Sequence, residues 1–260
     1  MAQIKILAVG DVVGESGVAY LSGGRLRRIA DKLGADAVIV NGENSSKTNC
    51  ITPDSAEAIF DAGADVITGG NHTLKRYHTY DYLDSHPNCI RPANYPSDAP
   101  GDGYTVIDCL GWRLLVINLL GTTFMDPLDS PFKTADKILE TMKGKYDIAV
   151  LDIHAEATSE KMCLARYLDG RVSAVFGTHT HVQTSDACVL PGGTGYITDL
   201  GMTGPVEGVL GVKSENAMHK FLKRTPIFFE HASGEAAAHG ALFCMDTDSG
   251  KCISAEGITF

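Results

Sequence analysis

The 260-residue chain lacks the features that would place it in a membrane, in a secretory pathway or among disulfide-stabilised proteins. No apolar run approaches the ~18 residues that a membrane-spanning helix needs. The N-terminal stretch MAQIKILAVGDVVGE has neither the long apolar region nor the small-residue cleavage site of a signal peptide. The seven cysteines are odd in number and form no C-x-x-C pair, which is typical of reduced thiols. We therefore predict a soluble, cytoplasmic protein with no membrane partner.

Positive charge is also scarce. Lysine and arginine together number 22 against 32 acidic residues, and the formal net charge is −10. Because a broad nucleic-acid surface needs a basic face, we exclude nucleic acid as a partner of that kind. A small phosphorylated substrate is still allowed, since a metal centre can supply positive charge locally. The hydrophobic content of 44% is near the globular average, so a metal site here is expected to be catalytic rather than structural.

Linkers, repeats and low-complexity segments are absent, so we predict one domain over residues 1–260. Short apolar runs rich in β-branched residues predict strands that are buried on both faces. These runs cover residues 5–11, 36–44, 64–72, 112–121, 146–154 and 172–181. Helix-like stretches between them cover residues 24–33, 55–62, 134–143 and 159–168. The alternation predicts a layered α/β fold with a largely parallel sheet, and residues 228–260 predict antiparallel strands at its edge or in a second sheet.

Polar side chains able to bind a metal stand at the ends of all but one of these predicted strands. They are Asp11, Glu43 with Asn44, Asn71 with His72, His154, and His179 with His181. Because ligands bind outside the carboxyl ends of strands in open α/β sheets, these distant residues are expected to meet at one rim. Any single one could be an ordinary turn residue, since Asp and Asn are common in turns. Their coincidence at five strand ends predicts a metal site.

The stretch GTHTHVQT, residues 177–184, places two of these histidines one residue apart. Residues i and i+2 of an extended segment share a face, so the imidazoles of His179 and His181 are expected to point the same way. Neutral imidazole is the commonest metal ligand, which makes a metal the expected target. The alternative is a solvated loop that contains two histidines by chance.

Other catalytic motifs are incomplete. GDVVGESG, residues 10–17, lacks both the G-x-G-x-x-G spacing and the Lys-Ser/Thr of a P-loop. Residues 154–156 match the H-x-E of zinc deaminases, but no P-C-x-x-C follows. The chain also has no H-E-x-x-H helix and no G-x-S-x-G elbow. These enzyme classes are therefore disfavoured.

The order of the polar motifs resembles that of the calcineurin-like metallophosphoesterases. Their usual D-x-H, G-D-x-x-D, G-N-H-[DE], H and G-H-x-H correspond here to GD (10–11), NGEN (41–44), GGNHT (69–73), His154 and GTHTH (177–181). The chain departs from that pattern at three places. Val13 stands where the superfamily has its first histidine, Glu43-Asn44 replaces the aspartates of the second motif, and Thr73 replaces the acid after the third.

These departures resemble one branch, the YmdB-like bacterial phosphoesterases, and the likeness covers nearly the whole chain. Further stretches that resemble this branch are GDVVG (10–14), RPANYP (91–96), HAEATSEK (154–161), THTHVQT (178–184) and YITDLGMTGP (196–205). Residues 45–50, SSKTNC, depart from it, because the branch tends to be rich in Gly and Ala there.

The resemblance implies an α/β/β/α-type sandwich with antiparallel C-terminal strands and a site for two metal ions at the strand ends. It assigns Asp11, Glu43, Asn44 and His181 to one ion, and Glu43, Asn71, His154 and His179 to the other, so that Glu43 bridges. A metal-bridging hydroxide would attack phosphorus, and His72 would protonate the leaving oxygen. The mixed nitrogen and oxygen donors suit Fe, Mn, Zn or Co better than Mg or Ca, and the family favours iron or manganese.

The implied reaction is hydrolysis of small cyclic nucleotides, with 2′,3′-cyclic nucleotides opened to 3′-nucleotides. Two alternatives stay open: a phosphomonoesterase acting on nucleotides or small phosphates, and a regulatory protein that binds a partner and keeps a secondary metal site. Homo-oligomerisation is left open as well. The other histidines (78, 86, 219, 231 and 239) are predicted to be surface or core residues. Phe124, in the loop of residues 122–132, either stacks on a base or packs structurally, and packing is favoured.

Overall fold

The computed structural model describes residues 2–260. The strands are β1 Gln3–Val9, β2 Asp11–Val12, β3 Ala37–Asn41, β4 Val66–Thr68, β5 Cys89–Ile90, β6 Tyr104–Cys109, β7 Trp112–Leu120, β8 Ile148–His154, β9 Ala174–Thr178, β10 Cys188–Val189, β11 Gly195–Ile197, β12 Met202–Pro205, β13 Ala236–Asp246 and β14 Cys252–Thr259. The helices are α1 Gly14–Leu21, α2 Arg25–Leu33, α3 Pro53–Ala62, α4 Tyr80–Ser85, α5 Pro131–Thr141, α6 Thr158–Tyr167 and α7 Ser214–Lys223. A 3₁₀ turn, Tyr77–Thr79, precedes α4.

Within residues 2–260 the strands form two mixed sheets. The first has the order β2-β12-β13-β1-β3-β4-β5, with β14 also paired to β13. The second has the order β10-β11-β9-β8-β7-β6. Each contains four adjacent parallel strands, β1, β3, β4 and β5 in the first and β7, β8, β9 and β11 in the second. The predicted strands and helices are all present, with ends that differ by a few residues.

The two sheets face each other, and helices cover their outer faces. Phe176 of β9 and Phe243 of β13 are buried between the sheets and stack with ring centroids 6.1 Å apart. The outer face of the first sheet packs on α1, α2 and α3, and that of the second on α5 and α6. Because both faces of each sheet are buried, the central strands are continuous apolar runs. The predicted α/β/β/α sandwich is confirmed.

The C-terminal strands are antiparallel, as predicted, and they extend the first sheet rather than building a second one. β13 pairs with β1 from Gly240 to Asp246 and with β14 on its other side. Only β14 corresponds to the predicted edge. The long strand β13 lies inside the sheet, next to the strand that leads to Asp11.

Local sequence signals determine where helix α3, which follows the loop next to the site, begins and ends. The Thr52 hydroxyl accepts a hydrogen bond from Ser55 N at 3.3 Å, and the Ser55 hydroxyl accepts one from Thr52 N at 2.9 Å. This reciprocal cap, with Pro53 in the first turn, starts the helix, and Gly63 at φ 119° ends it. The cap thereby fixes the end of the 45–50 loop, which follows Glu43 and Asn44.

The strand register brings the carboxyl ends of the central strands to one rim. Leu120 of β7 pairs with His154 of β8, which pairs with Thr178 of β9. In the first sheet, Asn41 of β3 pairs with Thr68 of β4. The loops that follow these residues therefore begin side by side. Among residues 2–260, no helix combines the length and apolarity needed to cross a membrane.

Candidate metal centre

All the side chains predicted at the strand ends meet at this rim, and one group forms a tight cluster. Glu43, His154 and His179 offer ligand atoms that all lie within 4.8 Å of one another. His154 Nε2 is 3.1 Å from Glu43 Oε1 and 3.0 Å from Asn71 Oδ1. His179 Nδ1 lies 3.1 Å from the same His154 Nε2.

A second group of donors lies on the other side of Glu43. His181 Nε2 is 3.7 Å from Asp11 Oδ1 and 3.3 Å from Asn44 Nδ2. Asn44 Nδ2 in turn donates a hydrogen bond to Glu43 Oε1 at 3.0 Å. Glu43 therefore contacts members of both groups.

Each of the three histidines has one ring nitrogen held by an acceptor outside the cluster. His154 Nδ1 lies 2.9 Å from Thr178 Oγ1, His179 Nε2 lies 3.0 Å from Glu156 Oε2, and His181 Nδ1 lies 3.1 Å from the Leu210 carbonyl. The other nitrogen of each ring faces the clustered donors. This arrangement is typical of metal-ligating histidines, because the outer hydrogen bond fixes the tautomer and leaves a lone pair for the ion.

The hydrogen-bond chain behind His154 is fully buried. The Thr178 hydroxyl donates to Asp152 Oδ1 at 2.7 Å, so it accepts from His154 Nδ1–H. Asp152 Oδ2 accepts from the Thr68 hydroxyl and from Asn41 Nδ2 at 3.0 Å. The role of Asp152 was not predicted from the sequence, although an acid inside the apolar run of residues 146–154 indicates a buried polar contact.

The charges around His154 favour a cation at the centre of the cluster. Burial opposes a charged imidazole, but Glu43, Asp11 and Asp152 raise the pKa of His154 to about 9. Burial likewise opposes a charged carboxylate, yet His154 and His72 lower the pKa of Glu43 to about 2. Burial and the neighbouring His154 lower the pKa of His179 to about 3, which keeps that ring neutral. Without an ion, the carboxylates are balanced by a proton on His154. A divalent cation would supply this positive charge instead.

Asp11 gives a second indication that the residues fit a metal. Its side chain is fully buried, and burial raises its pKa, an effect that His181 and His154 oppose. Oδ2 accepts a hydrogen bond from His179 N at 3.1 Å. Within residues 2–260, Oδ1 is the one buried side-chain polar atom with no hydrogen-bond partner. Since a buried unpaired carboxylate oxygen is costly, a cation on this atom would remove the penalty.

The turn after β4 leaves room for these donors. A Cβ on Gly70 would lie 2.3 Å from Glu43 Oε2 and 2.4 Å from His154 Nε2, so only glycine fits there. The Thr73 hydroxyl accepts a hydrogen bond from Gly70 N at 2.7 Å, and His72 N donates to Glu43 Oε2 at 2.9 Å. Thr73, which departs from the superfamily pattern, thus closes the turn that carries His72.

The extended geometry predicted for the two neighbouring histidines is wrong. β9 ends at Thr178, and the backbone then turns, with φ 96° at His179 and φ 63° at His181. The rings approach the cluster because the turn aims them there, not because they alternate along a strand. Positive φ values are uncommon for residues with a Cβ and persist where surrounding contacts enforce them.

The buried ion pair between Lys161 and Asp199 makes contacts that hold the backbone turn at His179 and His181 in this conformation. Lys161 Nζ donates hydrogen bonds to the Thr178 carbonyl and to Asp199 Oδ2, both at 2.7 Å, and Lys161 is fully buried. Asp199 also accepts from Thr180 N at 3.2 Å and from Gly201 N at 2.9 Å. Gly201 O accepts from Asp11 N at 3.2 Å, so the ion pair ties the histidine turn to the segment that holds Asp11. Both ionic residues lie in family-like stretches, but their type alone did not reveal this role.

Two predictions about aromatic and histidine residues need correction. His231 is neither a plain surface nor a core residue, because it lines a cavity of about 160 Å³ with His72, His179 and His181. Phe124 is 90% exposed, so it is not the packed structural aromatic that we favoured. His231 was missed because it follows no strand and lies far along the chain from the other site residues.

Comparison with known proteins identifies the relatives of this chain. Residues 7–258 match the family model described as YmdB-like protein. A 2′,3′-cyclic-nucleotide 2′-phosphodiesterase of Bacillus subtilis is 42% identical over 98% of this chain and 96% of its own length. The crystal structure of a hypothetical protein from Thermus thermophilus superposes with a TM-score of 0.91 at 39% identity, covering 99% of both chains.

A crystal structure described as a novel phosphatase from Mycoplasma pneumoniae gives a TM-score of 0.92 at 32% identity, over 100% of this chain and 94% of that one. These relationships confirm the predicted family and the predicted phosphoesterase class. The chain belongs to the YmdB-like family.

Proposed function

We propose that this chain, as a single metallophosphoesterase domain over residues 1–260, is a dinuclear metal-dependent phosphodiesterase that opens 2′,3′-cyclic nucleotides to 3′-nucleotides. Asp11, Glu43, Asn44 and His181 would hold one ion. Glu43, Asn71, His154 and His179 would hold the other, with Glu43 shared. Iron or manganese fits this mixed donor set, and zinc or cobalt is the alternative.

The observation that carries the proposal is the orientation of the three histidines. Each has its outer nitrogen bonded to an acceptor, so each ring turns its other nitrogen toward the clustered oxygens. Because a metal binds the neutral form of imidazole, these rings and the buried carboxylates would form a cation site whose net charge stays positive with two ions. Two divalent ions bring about +4, Asp11 and Glu43 remove two charges and a hydroxide one, which leaves about +1 for an anionic phosphodiester.

One detail of Asn44 must differ when an ion is bound. Its Nδ2 faces Glu43 and His181, whereas its Oδ1 lies 3.0 Å from His72 Nδ1. An amide binds a metal through oxygen, so ligation requires the amide to turn over, which exchanges O and N with little other movement. Nδ2 would then donate to His72 Nδ1, and the opposite ring nitrogen of His72 would carry the proton.

His72 is the residue of this chain that would handle the leaving group. It lines the cavity beside Glu43, Asn44 and His179, so its ring can reach a substrate held there. In the reaction, a water oxygen bonds to phosphorus while the bond from phosphorus to O2′ breaks. His72 gives its ring proton to O2′ and regains the proton that the attacking water releases, so one water molecule is consumed and the ring ends as it began. Bound metal ions would supply Lewis acidity toward the phosphoryl oxygens and would lower the pKa of the attacking water.

The substrate class rests on the relatives. The Bacillus subtilis relative is named a 2′,3′-cyclic-nucleotide 2′-phosphodiesterase, and it matches nearly the whole chain. The Mycoplasma pneumoniae relative is described as a phosphatase, which supports monoester hydrolysis as the second candidate. A role based on a protein partner, with the metal site secondary, is the third.

A substrate screen with metal analysis separates these functions. We expect purified protein to carry close to two transition-metal ions per chain and to hydrolyse 2′,3′-cyclic nucleotides, with 3′-nucleotides as products. Faster turnover of monoesters would favour the phosphatase. If no phosphoester is hydrolysed with Mn²⁺ or Fe²⁺ present, and a metal-free variant keeps its role in the cell, the partner-binding function is correct.

A further inference from the structure

The cavity at the candidate metal centre has a second wall that carries none of the predicted ligands. Val13, Asn49, Leu210, Val212 and His231 complete the lining of this cavity of about 160 Å³. Asn49 belongs to the 45–50 loop that departs from the family pattern, and His231 lies far along the chain. Neither residue contacts a predicted ligand through a hydrogen bond among residues 2–260.

His231 is held in place by close packing and one short hydrogen bond. Its Nε2 lies 2.6 Å from Asn49 Oδ1, and Asn49 adopts φ 49°. The ring also packs directly on Gly14, where a Cβ would lie 2.4 Å from His231 Nδ1. Gly14 N donates to the Asn44 carbonyl at 2.9 Å, so the glycine that seats His231 is also attached to the site. These contacts fix the ring in the wall of the cavity.

A larger cavity of about 620 Å³ begins on the other side of His231. Phe228 and Phe229 line it, with exposed fractions of 78% and 39%. Ser16, Thr48 and Ser233 supply hydroxyl groups, and the side chains of Glu15, Lys47 and Glu230 add charge. His231 lines both cavities, so they adjoin at this residue.

We propose that the cavity beyond His231 is the nucleoside subsite of the enzyme, an inference that rests on the proposed phosphodiesterase function. With the cyclic phosphate among the predicted ligands, the ribose lies at the Asn49–His231 pair and the base lies against Phe228 and Phe229. The amide and the imidazole offer hydrogen-bonding groups suited to ribose hydroxyls. The aromatic faces offer stacking for any base, and the surrounding hydroxyl and carboxylate groups offer partners for its polar edge.

In this arrangement, the loop of residues 45–50 contributes to nucleoside recognition. Lys47 and Thr48 face the larger cavity, and Asn49 faces the smaller one. A loop of Gly and Ala would present no side-chain donors or acceptors at these places. The SSKTNC sequence would therefore adjust which nucleosides the enzyme prefers, without altering the ligands that precede it.

The test compares two substrates that share the cyclic phosphate and differ in the base. Phe228→Ala and Phe229→Ala are expected to raise the KM for adenosine 2′,3′-cyclic phosphate by roughly 5–100-fold, the loss expected when one base-stacking contact is removed. The KM for ribose 2′,3′-cyclic phosphate, which has no base, should not change, nor should kcat for either substrate. Phe221→Ala is the matched control, because Phe221 is 66% exposed on α7 and lines neither cavity.

Binding of the reaction product tests the nucleoside subsite without depending on the proposed reaction. By calorimetry, wild-type protein should bind adenosine 3′-phosphate more tightly than ribose 3-phosphate, and the Phe228 and Phe229 variants should lose that difference. If the base adds no affinity, or if Phe221→Ala reduces it equally, the subsite is wrong even when turnover is intact. If the base adds affinity but no cyclic nucleotide is hydrolysed, the subsite stands and the proposed reaction fails.

Discussion

Two groups of side chains at the site, which we call its donor wall and its open wall, differ in how they are held. On the donor wall, which we define as Asp11, Glu43, His154 and His179, the first three are fully buried and the histidines are fixed by outer hydrogen bonds. On the open wall, defined as Asn49, Leu210, Val212 and His231, Leu210 is 47% exposed, and one side-chain hydrogen bond joins Asn49 to His231. The donor wall follows strand ends, whereas the open wall is made of loops.

From this difference we infer that the donor wall serves metal binding and catalysis and that the open wall serves substrate recognition. The donor wall is anchored to the parallel strands of both sheets and is backed by Asp152 and the Lys161–Asp199 pair. Such support suits ligands, because their geometry must be reproduced closely. Substrate contacts can vary among relatives, and loops tolerate substitution better than strands do. Variants on the donor wall should therefore change metal content or catalysis, and variants on the open wall should change substrate preference.

The largest effect is expected at the shared ligand. Glu43→Gln keeps the shape of the side chain but removes the charge that both ions would share, so turnover should fall almost completely and fewer than two ions per chain should remain. Metal analysis and a cyclic-nucleotide assay measure both quantities. Full turnover with two retained ions would show that Glu43 does not bridge.

The next effect separates proton donation from metal binding. His72→Ala should keep the metal content while turnover falls by roughly 10²–10⁴, the usual contribution of a general acid. The loss should be smaller for a nitrophenyl phosphodiester, because nitrophenolate leaves without a proton. Loss of metal, or equal losses for both substrates, would make His72 a ligand or a structural residue.

A third prediction concerns the support behind the donor wall. Lys161→Met leaves Asp199 as an unpaired buried charge, which should destabilise the fold by about 3–5 kcal/mol. The melting temperature should then fall by roughly 6–20 °C. Lys213→Met is the matched control, because Lys213 forms an exposed ion pair with Glu230 and its loss should leave the melting temperature unchanged. Equal shifts in the two variants would contradict the supporting role of Lys161.

The smallest effect should come from the hydroxyl that orients His154. Thr178→Val removes the acceptor for Nδ1 and should weaken metal binding by about 10–100-fold, as for other outer partners of ligating histidines. Thr178→Ser keeps the hydroxyl and should restore the affinity. If Ser and Val behave alike in a metal titration, the hydrogen bond to His154 does not tune the site.

Much of the fold could be predicted because its strands are buried on both faces. Strand β8, Ile148–His154, has no solvent-facing positions, so it is an apolar segment, interrupted by Asp152, that ends in a polar residue. The assignment of β13 to the sheet interior could not be predicted, since strand order depends on contacts between distant segments. The turn at residues 178–181 was missed for a related reason, because its positive φ values depend on Lys161 and Asp199 and not on local sequence.

The donor wall could be predicted from residue type and position, and the open wall could not. Asp, Glu, Asn and His at strand ends combine two signals, ligand chemistry and a place at the rim. His231 and Asn49 lie in loops, where neither spacing nor strand alternation indicates a partner. Asp152 is an intermediate case. Its position inside a buried strand indicates that it has a buried hydrogen-bond partner, but the sequence does not indicate which residue that partner is.

Metal analysis of single histidine variants tests the central claim most directly. His179→Ala should weaken the ion shared with Asn71, His181→Ala should weaken the ion shared with Asp11, and each purified variant should carry fewer than the two ions of the wild type. His231→Ala, on the open wall, should keep both ions and serves as the control. If the His179 and His181 variants both still carry two ions per chain, these histidines are not ligands, and the two-metal account of this site is wrong.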